Sequence, residues 1–478
     1  MGKSLGRAGA TSRGLDWHLR MGTVTIRFDD SLPALARVVS EQLGPQALRT
    51  GVTLRDTMGR LAFFADKHLD DATIERLSAH LRAALGAYAR SDRIVAGVDD
   101  FGVASILKDP SVQTIRIGSD VLRLLDRRLV GADWLRPPSP AALPPPRFVF
   151  ASLKGGVGRS TALAVAAAHL AARGQRVLAI DLDMEAPGLG AMLLDQDTVP
   201  EFGLIDALVE SGLSPLDDTF LADLVGPSEV ADRRGRIDVI PAFGRRSLKN
   251  PGEVLSKIAR AYAEHIREDG TVATILDEVR SLVSRFSDSK RYDAVLIDSR
   301  AGLHETTAAA VLGLGAEVFL FGLDEPQTFQ GYAALFAHLA HFVPPEGPVP
   351  EWVDRITMIQ GRAPAIAESH TAFNEKCQTL FTLMSPGLRG VEALAGVPLP
   401  AEPFRDVPWD DDVKDEELTL DETLSPRGAV AILEDDRFRL FQPSARRDLL
   451  SEQVYQSSYG GFLDRMSEAF EGLSENRT

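Results

Sequence analysis

The sequence predicts an α/β protein: a doubly wound, mostly parallel sheet with a smaller N-terminal α+β domain. Three observations carry this. Strand-like and helix-like stretches alternate from residue 148 onward. The strand-like stretches are continuously apolar, as expected of strands covered by helices on both faces. A proline-rich segment separates them from a block of different pattern. At 478 residues, 44% hydrophobic and 25% charged, the chain is long enough for two or three domains with cores of their own.

Residues 1–20, "MGKSLGRAGATSRGLDWHLR", are basic but have no apolar segment, so they do not read as a secretory signal. They are expected to be a disordered or non-native leader, with Met21 opening "MGTVTIRF". "TVTIRF" (23–28) alternates like a strand. "SLPALARVVSEQL" (31–43) and "DDATIERLSAHLRAALGAYA" (70–89) have helical apolar spacing, each behind a Ser or Asp start signal. "SVQTIRIGSDVLRLLDRRLVGADWL" (111–135) reads as strands around a turn. Residues 21–135 therefore form a small α+β domain without a catalytic constellation, expected to bind a protein partner or to regulate. "RPPSPAALPPPR" (136–147) has six prolines in twelve positions and is expected to be a stiff, extended linker.

Beyond it, strands are expected at FVFASL (148–153), RVLAIDLD (176–183), RIDVIPAF (236–243), YDAVLIDS (292–299), EVFLFGLD (317–324) and RITMIQG (355–361). Helical stretches such as STALAVAAAHLAARG (160–174) and TFQGYAALFAHLAHF (328–342) lie between them. This domain is expected to span 148–425, with an acidic run, WDDDVKDEE (409–417), near its end. Residues 426–478 then form a C-terminal helical extension, helical from about Ser444.

A net charge of −16 argues against a nucleic-acid-coating role; contact with DNA then needs a local basic patch. The single cysteine, Cys377, cannot form an intrachain disulfide and reads as a structural thiol; a reducing, cytoplasmic compartment follows as the expectation. No Cys/His cluster has metal-site spacing, and no apolar run is long enough to span a bilayer.

The chemistry is concentrated in "KGGVGRST" (154–161). It nearly matches the phosphate-binding loop G-x-x-x-x-G-K-[ST], with Arg159 where lysine belongs. Gly155, Gly156 and Gly158 let the backbone curl so that several N–H groups face one anion, and the helix starting at Ser160 adds its positive end. Arginine keeps the charge and offers a planar fork for phosphate oxygens, but it is bulkier than lysine. Asp181, Asp183 and Asp298 end two parallel strands, so their carboxylates reach the same sheet edge as the loop. Carboxylates around Mg²⁺ and a water are what phosphoryl transfer to water requires.

These three motifs, KGG-x-G-[KR]-[ST], "VLAIDLD" and "LIDSRAGL", resemble those of the deviant Walker A ATPases of the ParA/MinD type, P-loop NTPases of the SIMIBI class, over roughly residues 148–425. The resemblance implies ATP and Mg²⁺ as cofactors and an ATP-dependent homodimer in which Lys154 reaches the partner's nucleotide. It places Gly155, Gly156, Val157, Gly158, Arg159, Ser160 and Thr161 around the phosphates. Ser160, Asp181 and Asp298 belong to the metal, with Asp298 as the Walker B carboxylate, and Asp183 orients the attacking water. Gly302 falls in the γ-phosphate switch, and Gln360 matches the place of an adenine-contacting Asn. Arg300, where the family more often has proline, is either a surface ion-pair residue or a γ-phosphate contact.

The expected function is an ATP-driven dimerisation switch. Its hydrolysis is slow, because a misfit of Arg159 worth about 2–4 kcal/mol at the transition state costs about 30- to 1000-fold in rate. The alternative is a nucleotide-sensing module with little turnover that serves a larger complex such as a phage-defence or positioning system. An iron-protein reductase is disfavoured by the single cysteine. A MinD-like membrane anchor is disfavoured by the acidic end, "DRMSEAFEGLSENRT".

Overall fold

The computed structural model describes residues 26–118, 120–128, 130–230, 234–266, 271–344, 348–384, 428–439, 441–443 and 446–475. The expected leader and the acidic run 409–417 lie outside them. The chain divides into two compact units, residues 1–127 and 128–478.

The first unit has helices α1 (Phe28–Leu43), α2 (Pro45–Thr50), α3 (Asp71–Leu85) and α4 (Val103–Leu107). Its strands are β1 (Val52–Arg55), β2 (Leu61–Phe64), β3 (Val95–Ala96), β4 (Gln113–Ile117) and β5 (Asp120–Asp126), in the order β3-β2-β1-β5-β4. Leu61 and Phe63 face a core with Leu35, Val39, Leu77 and Leu81 of α1 and α3. Their neighbours Ala62 and Phe64 face the opposite side, with Val103 of α4. Both faces of β2 are covered, which is the α+β architecture expected. Asp70 caps α3, accepting from the Thr73 N–H at 2.7 Å. The strand expected at 23–28 is corrected at its end, because Phe28 opens α1. The four-residue strands β1 and β2 escape a sequence reading because they are short and lack alternation.

The second unit is an eight-stranded sheet. Its strands are β6 (Arg147–Ser152), β7 (Arg176–Asp181), β8 (Gly226–Pro227), β9 (Arg236–Ile240), β12 (Ala294–Ala301), β13 (Glu317–Gly322), β14 (Ile356–Ala363) and β15 (Val430–Leu433). Strands β10 (His265–Ile266) and β11 (Val272–Ala273) make a separate ladder. The order is β15-β14-β13-β6-β12-β7-β9-β8, and every neighbouring pair is parallel except β8 with β9.

The connecting helices are α5 (Arg159–Ala172), α6 (Leu189–Leu193), α7 (Leu204–Ser211), α8 (Asp218–Ala222), α9 (Arg245–Lys249) and α10 (Val254–Ala261). They continue with α11 (Ile275–Phe286), α12 (Glu305–Gly313), α13 (Pro326–Leu339), α14 (Ala367–Thr382) and α15 (Glu452–Glu475). Val149, Ile180, Ile297 and Leu320 point to one face, packed by residues of α7, α11, α12, α13 and α14. Phe150, Ala179, Leu296 and Phe321 point to the other, packed by α5, α6 and α15. Successive side chains thus serve opposite cores, which is why these strands read as continuous apolar runs. The sheet is doubly wound, as the sequence predicts.

Two expected boundaries need correction. Residues 136–147 do not float as a spacer. The Ser139 N–H donates to the Leu312 carbonyl at 2.7 Å, the Ala142 N–H to the Gly315 carbonyl at 2.8 Å, and Arg355 donates to the Ser139 carbonyl at 2.6 Å. Proline removes donors from this strap, yet its remaining N–H and C=O groups find partners on the second unit. Asp133 and Trp134 are buried in that unit as well, so it begins at Arg128 rather than at 148. The second correction concerns 426–478, expected as an appended helical extension. Its first described stretch supplies β15 to the sheet, and Phe462 of α15 packs edge-on against Phe150, Phe319 and Phe321.

Candidate functional site

The loop between β6 and α5 sits where the parallel strands end. Gly156 (φ 77°) and Gly158 (φ 90°) take backbone conformations closed to most side chains. A Cβ on Gly155, Gly156 or Gly158 meets nothing within 4 Å, so the inside of the loop is open. Val157 is buried beneath it. Its carbonyl lies so near Gly361 of β14 that a Cβ there comes within 2.3 Å, so β14 must carry glycine at that point.

Register brings the acids together. Asp298 of β12 pairs with Asp181 of β7 on one side and with Phe150 of β6 on the other. Asp181 is fully buried and accepts backbone N–H groups from Asp183, Gly188 and Leu189 at 3.0–3.3 Å. It therefore shapes the loop after β7 with both its oxygens. Burial and then the charge of Asp298 push its carboxyl well above the usual range. Asp298 is also pushed up by burial, against the pull of Arg159.

Arg159 does not extend into the loop's mouth. Its side chain is 10% exposed and turns to the acids: Nε donates to Asp298 Oδ1 at 2.6 Å, Nη2 to Asp183 Oδ2 at 3.1 Å and Nη1 to Ser152 Oγ at 3.3 Å. Burial works against its charge, but Asp298 and Asp183 outweigh it and raise its pKa. The Ser160 hydroxyl donates to the second oxygen of Asp298 at 2.5 Å. Asp183 accepts in addition from the Ala186 N–H at 3.1 Å. Two carboxylates, Asp298 and Asp183, thus share one guanidinium, while Asp181 beside them has none, and the raised carboxyls of Asp181 and Asp298 mark a place short of positive charge. An oxygen-rich donor set of Ser160 and Asp298 suits a hard divalent cation. Among the described residues, no three His, Cys, Asp or Glu side chains come together as a metal-holding group. Of the expected trio, Ser160 and Asp298 are in direct contact, and Asp181 is the strand neighbour of Asp298.

Gly302 (φ 94°) donates its N–H to the Ser152 carbonyl at 2.9 Å, tying the switch segment to the strand before the loop. Lys154 is half exposed and pairs with Glu325 at 2.9 Å. Arg300 pairs with Glu185 at 2.8 Å, which favours the ion-pair reading. Gln360 is buried, with its amide nitrogen 3.5 Å from Ser369 Oγ, and does not line the loop's cavity. Cys377 is buried on α14, and burial pushes its thiol up.

That cavity, of about 440 Å³, is lined by residues 155–161 on one side. Its other side was not foreseen: Arg362, and Ile432, Phe438, Phe441 and Tyr459 from the C-terminal stretch. The run "VAIL" (430–433), bounded by Gly428 and acids, is the sequence signal that marks this strand. Nothing marks it as a neighbour of the loop.

A glycine-rich loop between a parallel strand and a helix, with acids at adjoining strand ends, defines a P-loop nucleotide-binding domain. Residues 148–313 match the family described as the CobQ/CobB/MinD/ParA nucleotide binding domain. No curated protein matches the chain. Solved structures similar to it include apo McdA from Cyanthece, 17% identical with TM-score 0.38, covering 70% of this chain and 99% of that one. A ParA family ATPase from Chlorobium tepidum TLS is 19% identical with TM-score 0.34, covering 52% and 92%. The septum site-determining protein MinD complexed with Mg-ADP from Pyrococcus horikoshii OT3 is 18% identical with TM-score 0.32, covering 50% and 77%.

Proposed function

We propose that the chain is an ATP-binding, Mg²⁺-dependent ATPase of the ParA/MinD type, a switch that dimerises on ATP and resets by slow hydrolysis. The observation that supports this most is the open loop 155–161 beside a bound pair, Ser160 and Asp298, at the edge of a parallel sheet. The loop N–H groups and the α5 N-terminus hold the phosphates. Ser160 and Asp298 would hold Mg²⁺, which would supply positive charge to the phosphate oxygens. Lys154 acts across the dimer, leaving Glu325 to do so.

Slow turnover follows from Arg159. The guanidinium that must reach phosphate is engaged by Asp298, the metal's carboxylate, and by Asp183, the residue assigned to the water. Each of those contacts has to be given up before the site is complete. The same contacts favour the second reading, a nucleotide-sensing module with little turnover. Residues 26–127 then serve as the partner-binding or regulatory unit, in a cytoplasmic setting. Among the described residues no helix is long and apolar enough to cross a membrane.

The test is single-turnover conversion of radiolabelled ATP by the full chain, with binding read in parallel. Binding that requires Mg²⁺, followed by slow release of phosphate, is the expected result. Binding without release moves the chain to the sensing module. Absence of ATP binding overturns both readings.

A further inference from the structure

A second cavity in the same unit, of about 260 Å³, shares no lining residue with the loop's cavity. It is built from Asp133 in the strap before β6, Tyr262 and Glu264 beyond α10, Thr274 ahead of α11, and His304 and Glu305 at the head of α12.

One of its buried polar atoms is under-used. Asp133 is 2% exposed. Its Oδ2 accepts the Leu276 N–H at 3.0 Å, but Oδ1 has no hydrogen-bond partner among the described residues. The other polar groups here have neighbours: the Tyr262 hydroxyl interacts with Glu185 and Thr306, and His304 Nδ1 lies 3.5 Å from Glu305 Oε2. Buried polar groups in native proteins are normally paired, so a buried carboxylate oxygen left unpaired at a cavity wall points to a missing partner. Burial pushes the Asp133 carboxyl above the usual range, the condition a neighbouring positive charge relieves.

The lining also selects the sign and shape of that partner. Asp133, Glu264 and Glu305 are acidic, and among the described residues no Lys or Arg lines the cavity. Glu305 is partly committed, since its Oε1 accepts the Gly131 N–H at 2.7 Å. Anions are disfavoured by this charge. A metal ion is disfavoured because the acids do not converge as a metal-holding group. The ring of Tyr262, edge-on to His304 at 4.8 Å, gives the cavity an aromatic wall, a surface that attracts organic cations. The volume is below that of cavities holding drug-sized ligands, about 300–1,000 Å³.

We propose that this cavity binds a small organic ammonium ion, whose N–H groups donate to Asp133 Oδ1 and the Glu264 carboxylate while its alkyl part lies against Tyr262. The site is independent of the nucleotide loop and stands or falls separately from the reading of that loop.

The test is calorimetric titration of the full chain, without nucleotide, with ethylammonium chloride and with tetramethylammonium chloride at matched ionic strength. Ethylammonium is expected to bind once per chain. Tetramethylammonium has no N–H to donate and is expected to bind at least about tenfold more weakly. Asp133→Asn keeps an oxygen for the Leu276 N–H while removing the charge, and it should weaken ethylammonium binding by about tenfold or more. Glu264 is exposed, so Glu264→Gln leaves the fold intact, and the same loss is expected of it. Absence of saturable binding at millimolar ethylammonium, equal affinity for the two salts, or unchanged affinity in Glu264→Gln overturns the proposal and leaves a cavity holding water only.

Discussion

At the scale of the residue, Arg159 carries the argument. An arginine in this position is long enough to serve either the phosphates or the acids behind them, and the sequence contains no sign of which. The structure shows the acids engaged. Asp298 and Asp183 are 1% and 8% exposed at their side chains, so removing the guanidinium strands two buried carboxylates. Arg159→Ala should therefore lose about 3–5 kcal/mol of stability, read as a lower urea midpoint at neutral pH. Arg159→Lys keeps the charge but cannot reach Asp298, Asp183 and Ser152 together, and it should lose less. A midpoint unchanged in Arg159→Ala would show that the ion pairs contribute nothing to folding. The glycines, Ser160 and the three aspartates were legible in the sequence because their chemistry is local to strand ends. Arg362 and the aromatic side of the cavity were not, because that side depends on where a distant strand joins the sheet.

At the scale of the element, the C-terminal stretch decides how much of the domain is core. The six strands expected after residue 148 all form, since each is a long apolar run between turn signals. The four-residue β15 is marked only by the short run VAIL, with nothing to show which sheet edge it joins, and α15 looks like an appendage until Phe462 is seen fully buried against β6 and β13. Phe462→Ala should cost about 3–5 kcal/mol in urea unfolding, the range for a large buried aromatic. A loss near zero would return α15 to the role of an extension. A second consequence concerns α5 against α15. His169 is 2% exposed, beside Tyr455 (3.3 Å) and Arg173 (2.8 Å). Burial, and then Arg173, lower its pKa from 6.5 to about 4. The unfolded chain therefore takes up this proton at a higher pH than the folded one. The contribution of His169 is complete above pH 6.5 and falls away as the pH drops toward 4. In His169→Gln, unfolding free energy followed across that window should decline less steeply than in the parent chain. Parallel curves would contradict the assignment.

At the scale of the whole molecule, the two units divide at Arg127 and Arg128, and the proline-rich strap belongs to the second. The composition change at 136–147 marked the neighbourhood of a boundary, but prolines alone do not reveal that Ser139 and Ala142 are hydrogen-bonded to the sheet domain. Fragments beginning at 128 and at 148 separate the two divisions. The longer should remain soluble with a cooperative thermal transition. The shorter loses the buried Asp133 and Trp134 and the strap's hydrogen bonds, and should melt at a clearly lower temperature. Equal melting temperatures would restore the boundary at the prolines. The central claim, that nucleotide occupancy of the loop is converted into assembly, is tested most directly by light scattering of the full chain on a sizing column. A mass of 51.8 kDa without nucleotide, doubling only when ATP and Mg²⁺ are both present, is the predicted result. A mass that stays at the single-chain value while ATP and Mg²⁺ are bound would contradict it.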